Sequence, residues 1–97
     1  MTHLSEPIRD IAHLGRVELF TPQLERSVWY FAEVLGMEVV CAESGSVYLR
    51  GYGDYAASTV KLTTAERAGV GCVSWRTVSP HALERRAQAI DRAGLGL

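Results

Sequence analysis

The side chains that could do chemistry in this chain lie on short runs of alternating residues. From Ile11 to Phe20, Arg16, Glu18 and Phe20 point to one side, and Val17 and Leu19 point to the other. From Val47 to Tyr52, Tyr48, Arg50 and Tyr52 share one side while Val47 and Leu49 share the opposite one. From Ser58 to Thr63, Thr59, Lys61 and Thr63 alternate with Val60 and Leu62. The spacing predicts one sheet face lined by Arg16, Glu18, Tyr48, Arg50, Tyr52 and Lys61, too polar for a core. Arg16, Glu18, Arg50 and Lys61 could line an anion-binding cup. The plainer reading is cross-strand ion pairing on a wet surface, where each pair is weak. Tyr48, Tyr52 and Tyr55 could stack on an aromatic small molecule, or simply cover the sheet or pack on another domain.

Histidines and cysteines add no recognisable catalytic or metal set. His3, His13 and His81 stand apart, and no two share a strand or helix spacing suited to a metal. Alternation puts His13 with Gly15 and Val17 on the apolar side, a structural place. His81 falls in the first turn of a helix, in solvent. Cys41 and Cys72 are far apart with no CxxC spacing, and read as reduced, buried thiols. Cys72 falls with the polar side of its strand and joins the candidate lining. No basic neighbour in sequence would lower its pKa.

The elements that must position these residues follow from periodicity and punctuation. Ile11 to Phe20 reads as a strand. Thr21 is the expected N-cap and Pro22 the first helical position of a helix. Leu24, Val28, Phe31, Ala32 and Leu35 form its apolar stripe, and Gly36 ends it. Trp29 and Tyr30 lie beside that stripe, so an exposed aromatic is expected there, suited to a subunit contact. Three strands follow, Met37–Cys41, Val47–Tyr52 and Ser58–Thr63, separated by turns at Glu43-Ser44-Gly45-Ser46 and Gly53-Asp54. They read as an antiparallel ribbon. Val70–Thr77 is a further strand, with Val73 and Trp75 on its apolar face. Ser79 caps a second helix with Pro80 at its first position, Leu83, Ala87 and Ile90 as its stripe, and Gly94 at its end.

One strand is written twice. Leu14-Gly15-Arg16-Val17-Glu18-Leu19-Phe20-Thr21 and Val70-Gly71-Cys72-Val73-Ser74-Trp75-Arg76-Thr77 share Gly, Val and Thr at an offset of 56. Each leads into a proline and then Leu-Glu-Arg, at Leu24-Glu25-Arg26 and Leu83-Glu84-Arg85. The repeat predicts a flexible lead over 1–10, a βαβββ unit over 11–68, and a second unit over 69–97 that has only its strand and helix. By the repeat the chain is expected to be cut short, a fragment; the alternative is a natural short form that completes its sheet with another copy.

The bulk composition narrows the function classes. Ninety-seven residues with 47% hydrophobic content suit one small globular domain. A net charge of −1 with mixed signs speaks against nucleic acid or an anionic membrane as partner. No apolar run has the length of a signal peptide or a membrane span, so a cytoplasmic setting is expected.

Beyond topology, particular segments carry a resemblance. They are Ile11-Ala12-His13-Leu14-Gly15, Val17-Glu18-Leu19, Val34-Leu35-Gly36-Met37, Ser46 through Tyr55, Lys61-Leu62-Thr63 and Gly69-Val70-Gly71. Together they resemble the N-terminal domain of type I extradiol ring-cleaving dioxygenases of the catechol 2,3-dioxygenase kind, with Tyr48 to Tyr55 the most specific part. The resemblance implies an α+β vicinal oxygen chelate fold, as in glyoxalases and bleomycin-resistance proteins. It implies a parent enzyme in which two His and one Glu of a C-terminal domain hold Fe(II), or Mn(II), beside a catecholate and O2. In metal-bearing units of that family a His stands at the places of Arg16 and Cys72, and the Glu comes from a last strand that has no counterpart here. A guanidinium has no free lone pair for a cation, and one thiol is not a site. The resemblance therefore implies a metal-free, structural role, with no catalytic or metal ligand and no cofactor in this chain. Its expected partner is a C-terminal catalytic domain or further copies. The rival expectation is a self-pairing module that binds a small molecule.

Overall fold

The structure is a computed structural model, and it describes residues 9–54 and 56–95. In order the chain forms β1 (Ile11–Thr21), α1 (Leu24–Trp29), a π-helical segment (Tyr30–Val34), β2 (Glu38–Glu43), β3 (Ser46–Arg50), β4 (Val60–Thr64), β5 (Gly69–Thr77) and α2 (Pro80–Arg92). The five strands make one mixed sheet in the order β2-β3-β4-β1-β5. The three middle strands of the sequence are antiparallel neighbours, as their turns predict. β4 then returns alongside β1 in parallel, the crossover being α1 and the ribbon. The described residues form two compact units: Leu14–Ser74, and residues 9–13 together with 75–95.

In the larger unit the register explains the core. Val47 lies across from Leu62, and Leu62 across from Leu19. Val39, Leu49, Val60 and Val17 form a second apolar row across four strands. Leu49 and Leu62 are wholly buried at the centre of these rows, and α1 packs against β4. The β2–β3 hairpin turns at Gly45, whose φ of +78° is left-handed backbone that a side chain would strain.

The first helix departs from the expected single stripe. Gln23, not Thr21, is its N-cap and gives no side-chain bond. Thr21 Oγ1 instead accepts from the Gln23 amide at 3.1 Å and bonds the Ser27 hydroxyl at 2.7 Å, holding the first turn from one residue further out. After Trp29 the helix widens, and the Leu35 amide reaches back five residues to the Tyr30 carbonyl. That extra residue per turn rotates Leu35 out of the stripe, and it is exposed. Trp29 and Tyr30 are both exposed as well. Gly36 closes the helix in the left-handed region, as its position predicts.

In the smaller unit Ser79 caps α2 by accepting from the Ala82 amide at 3.1 Å, with Pro80 in the first turn. The inward stripe matches the expected one only in part. Ala82 is buried, and Arg86, Ala87 and Ala89 are half-buried, so of the expected stripe Ala87 is half-buried while Leu83 and Ile90 are exposed. The cause is Asp10. Asp10 is 5% exposed, and its carboxylate takes Arg85 at 2.7 Å and Arg86 at 2.9 Å, which draws these two side chains of the helix toward it. Asp10 also accepts the Val78 amide through its carbonyl. It is thus part of the fold, where the sequence suggested a loose lead through residue 10; Met1 to Pro7 and Ile8 lie outside the described residues.

Candidate functional site: the polar face of the sheet

The ladder register brings four of the polar side chains into one row. Cys41 on β2 lies across from Tyr48 on β3, Tyr48 across from Lys61 on β4, and Lys61 across from Glu18 on β1. These positions belong to the face opposite Leu49 and Leu62, because successive residues of a strand alternate. The Lys61 ammonium lies 3.5 Å from Glu18 Oε2 and 5.3 Å from the centre of the Tyr48 ring. From β1 the Arg16 guanidinium lies 5.4 Å from the same ring. One aromatic ring is thus approached by two cations, each attracted by the ring quadrupole.

A hydroxyl relay runs beneath the row. Thr63 donates to Glu18 Oε2 at 2.8 Å, which leaves the Ser46 hydroxyl as the donor to Thr63 Oγ1 at 3.0 Å. Glu18 therefore accepts from both a hydroxyl and an ammonium. Tyr48 donates from its hydroxyl to Glu43 Oε2 at 3.3 Å. The Lys61 pKa is raised above the ordinary ammonium value, first by Tyr48 and then by the charge of Glu18, with burial opposing both. The arrangement keeps Lys61 charged and can hold a negative or electron-rich group. It offers no nucleophile with a base beside it.

The remaining candidates lie elsewhere or are otherwise engaged. Arg50 turns its guanidinium onto the Asp54 carbonyl, and its Nε is buried without a partner among the described residues. Asp54 Oδ2 accepts the Gly51 amide at 2.6 Å and the Thr59 hydroxyl at 2.7 Å, which pull its pKa below the usual carboxylate value with help from Arg50. Arg50 thus braces the β3–β4 connection. Tyr52 is fully exposed, and Tyr55 lies outside the described residues. A small open pocket of about 360 Å³ sits beside this connection, lined by Glu38, Arg50 and Tyr52 with three glycines.

Cys72 is where the geometry departs most from the sequence pattern. A Cβ built on Gly71 would come within 2.7 Å of both Glu18 Oε1 and the Phe20 ring, so Gly71 faces the polar side. Strand alternation then turns Cys72 to the other side, and with it reverses the faces expected for Val73 and Trp75. The repeat pairs Cys72 with Arg16 in sequence, but such a match does not fix which face a strand turns toward its neighbour. Cys72, Cys41, His13 and His81 are all exposed, and His3 lies outside the described residues. The Thr63–Ser46 relay and the Asp10 anchor escaped the sequence reading. Thr63 had a signal, since it shares the alternation of Lys61; Asp10 had none.

Among the described residues no three His, Cys, Asp or Glu side chains come together to hold a metal ion. The donor chemistry of the polar face agrees, since its cations repel a metal and Glu18 is already engaged. The face does not offer the two-His, one-Glu set that the resemblance places in the C-terminal domain of a parent enzyme. No helix of the described residues is long and apolar enough to cross a membrane.

Comparison with known proteins assigns the fold and the relatives. The structure superposes on homoprotocatechuate 2,3-dioxygenase of Brevibacterium fuscum in complex with 3,4-dihydroxyphenylacetate with a TM-score of 0.80. That match has 22% identity and covers 94% of this chain and 28% of that one. An extradiol ring-cleaving dioxygenase from B. fuscum, solved at room temperature, gives a TM-score of 0.80 with 25% of that chain covered. The fold is therefore the α+β vicinal oxygen chelate type. In sequence the chain is 48% identical over 94 residues to a metapyrocatechase of Geobacillus stearothermophilus, covering 97% of this chain and 29% of the relative. It is 38% identical over 85 residues to a manganese-dependent 2,3-dihydroxybiphenyl 1,2-dioxygenase of Geobacillus genomosp. 3, covering 88% of this chain and 27% of that relative. The chain is a relative of the extradiol ring-cleaving dioxygenases and spans less than a third of the length of these curated relatives. No family model matches it.

Proposed function

We propose that this chain is the metal-free, N-terminal structural portion of an extradiol catechol dioxygenase-like protein. The parent enzyme uses Fe(II), or Mn(II), and O2 to open an aromatic diol next to its hydroxyls. This portion supports a catalytic domain and builds subunit contacts. The observation that carries the reading is Arg16. The chain is 48% identical to a metapyrocatechase over 29% of that relative, and it has a permanently protonated guanidinium, close to the Tyr48 ring, at the place where the metal-bearing units of the resembled family carry a ligand histidine. Glu18 is tied to Lys61 and Thr63 and is not free to replace it.

Metal retention and turnover test this reading. The purified chain is loaded with Fe(II) or Mn(II) without oxygen, desalted, and analysed for metal per chain. It is then given catechol and air. The expected result is no stoichiometric metal and no yellow ring-cleavage product. One tightly held ion per chain together with turnover overturns the reading.

A further inference from the structure

A pocket of about 390 Å³ opens where β1 gives way to α1, and its lining residues all fall within residues 21–31. That volume lies in the range of small-molecule sites. Trp29 and Tyr30 supply its aromatic wall and are 55% and 47% exposed. They stand at the junction between α1 and the π-helical segment. Such a break in helical pitch is frequent at functional sites. The Phe31 ring meets the Tyr30 ring edge-on, with centres 5.5 Å apart and planes at 87°. Tyr30 is thereby braced, and offers flat apolar surface that a ligand need not first order.

The polar groups of the pocket are mostly donors left without acceptors. Thr21 and Ser27 share one hydrogen bond of 2.7 Å, which uses one of their two hydroxyl hydrogens. Thr21 Oγ1 also accepts the Gln23 amide at 3.1 Å, which uses none. The second hydroxyl hydrogen, the Gln23 side-chain amide and the Arg26 guanidinium have no partner among the described residues. Glu25 and Glu33, the acids of the same helical run, form no ion pair with Arg26. We propose that this pocket binds a small aromatic carboxylate. Its ring lies against Trp29 and Tyr30, and its carboxylate takes the fork of Arg26, with Gln23 and the free hydroxyl as further donors. A neutral ring would cover the cation without pairing it, and an anion without a ring would leave the aromatic wall wet. The proposal is independent of the metal-free reading, because none of its residues is named there.

The test is a titration of the isotope-labelled chain with cinnamate, followed by nitrogen–proton NMR. The two indole N–H signals belong to Trp29 and Trp75, and only Trp29 lines the pocket. The Trp29 indole and Arg26 Nε–H signals are expected to move to saturation while the Trp75 indole stays in place. Arg26→Gln and Trp29→Ala, both at exposed positions, should each weaken binding roughly tenfold and leave the rest of the spectrum unchanged. Cinnamyl alcohol, the ring without the charge, and hexanoate, the charge without the ring, should also bind roughly tenfold more weakly. No saturable shift at Trp29 overturns the proposal. So does equal movement of both indoles, an alcohol that binds as tightly as the acid, or full affinity in Arg26→Gln. A Trp29 signal that moves with protein concentration alone marks a contact between copies and overturns it as well. The metal assay above reads none of these residues, so the two proposals fail separately.

Discussion

The Asp10 carboxylate receives Arg85 Nη2 at 2.7 Å although 75 residues separate the two in sequence. Arg86 Nε meets the other oxygen at 2.9 Å. The carboxylate is buried, while the guanidinium of Arg85 is half open to water. An anion so placed is stable only while both arginines face it, because removing them leaves a buried charge unpaired. Arg85→Ala with Arg86→Ala is therefore expected to lower the thermal midpoint more than Asp10→Asn does. Differential scanning calorimetry of the three proteins checks the order.

Acid should weaken the same contact. Arg85 chiefly, then Arg86, holds the Asp10 pKa below its ordinary 3.8 against the opposing effect of burial. A carboxylate with a depressed folded pKa gives stability that is present above the unfolded value and is lost as pH falls through the folded one. The thermal midpoint is expected to be insensitive to this group above about pH 5, and to drop below about pH 4. In Asp10→Asn that acid limb should be shallower, the remainder coming from Asp54, which is also depressed. Identical acid limbs in both proteins would remove Asp10 from the account.

How much of this was legible in the sequence depended on the length over which a signal ran. The alternation around Val17 and Leu19 and around Val47 and Leu49 put the right residues on the apolar face, and their partners Leu62 and Leu49 became the buried centre. The polar face followed from the same period. Cys72 was misplaced because β5 lacks a clear apolar alternation to orient it, and its orientation is fixed by Gly71 pressed against Glu18 and Phe20. At the start of α2 the buried residue is Ala82 where Leu83 is expected, because both are apolar and a contact from Asp10, remote in sequence, chose between them.

Leu62 provides the direct measure of the core. It is fully buried between Leu19 and Val47, on the strand that α1 packs against. Leu62→Ala is expected to destabilise by about 2–5 kcal/mol, as buried leucine truncations do. Val60→Ala, at a half-buried position on the same strand, should cost less. Urea unfolding with a common slope separates the two. Equal losses would mean that the apolar rows are not centred as the register places them.

Asp54 should act locally. Its Oδ2 ties the Gly51 amide and the Thr59 hydroxyl together across the β3–β4 connection. Asp54→Ala removes both bonds at once and leaves the Arg50 contact to the backbone carbonyl of residue 54 in place. Hydrogen exchange is expected to speed up at Gly51 and across the residues to Thr59, while amides of α2 are unchanged. Faster exchange throughout the chain would instead make Asp54 a global support.

Gly71 offers the sharpest test of how β5 is turned. Any Cβ there meets Glu18 Oε1 and the Phe20 ring at 2.7 Å, well inside ordinary contact. Gly71→Ala is expected to destabilise by about 1–3 kcal/mol, the usual range for overpacking. Glu18→Gln leaves the end of that side chain the same size, whereas Phe20→Leu removes the ring tip that a Cβ would meet. Phe20→Leu should therefore recover part of the loss in the double variant, and Glu18→Gln should recover little. The non-additivity, read from a double-mutant cycle at concentrations where the chain is monomeric, reports the Gly71–Phe20 contact alone. If Gly71→Ala is neutral, or Phe20→Leu adds to it without compensation, β5 presents its other face to β1. Cys72 would then return to the polar side beside Arg16.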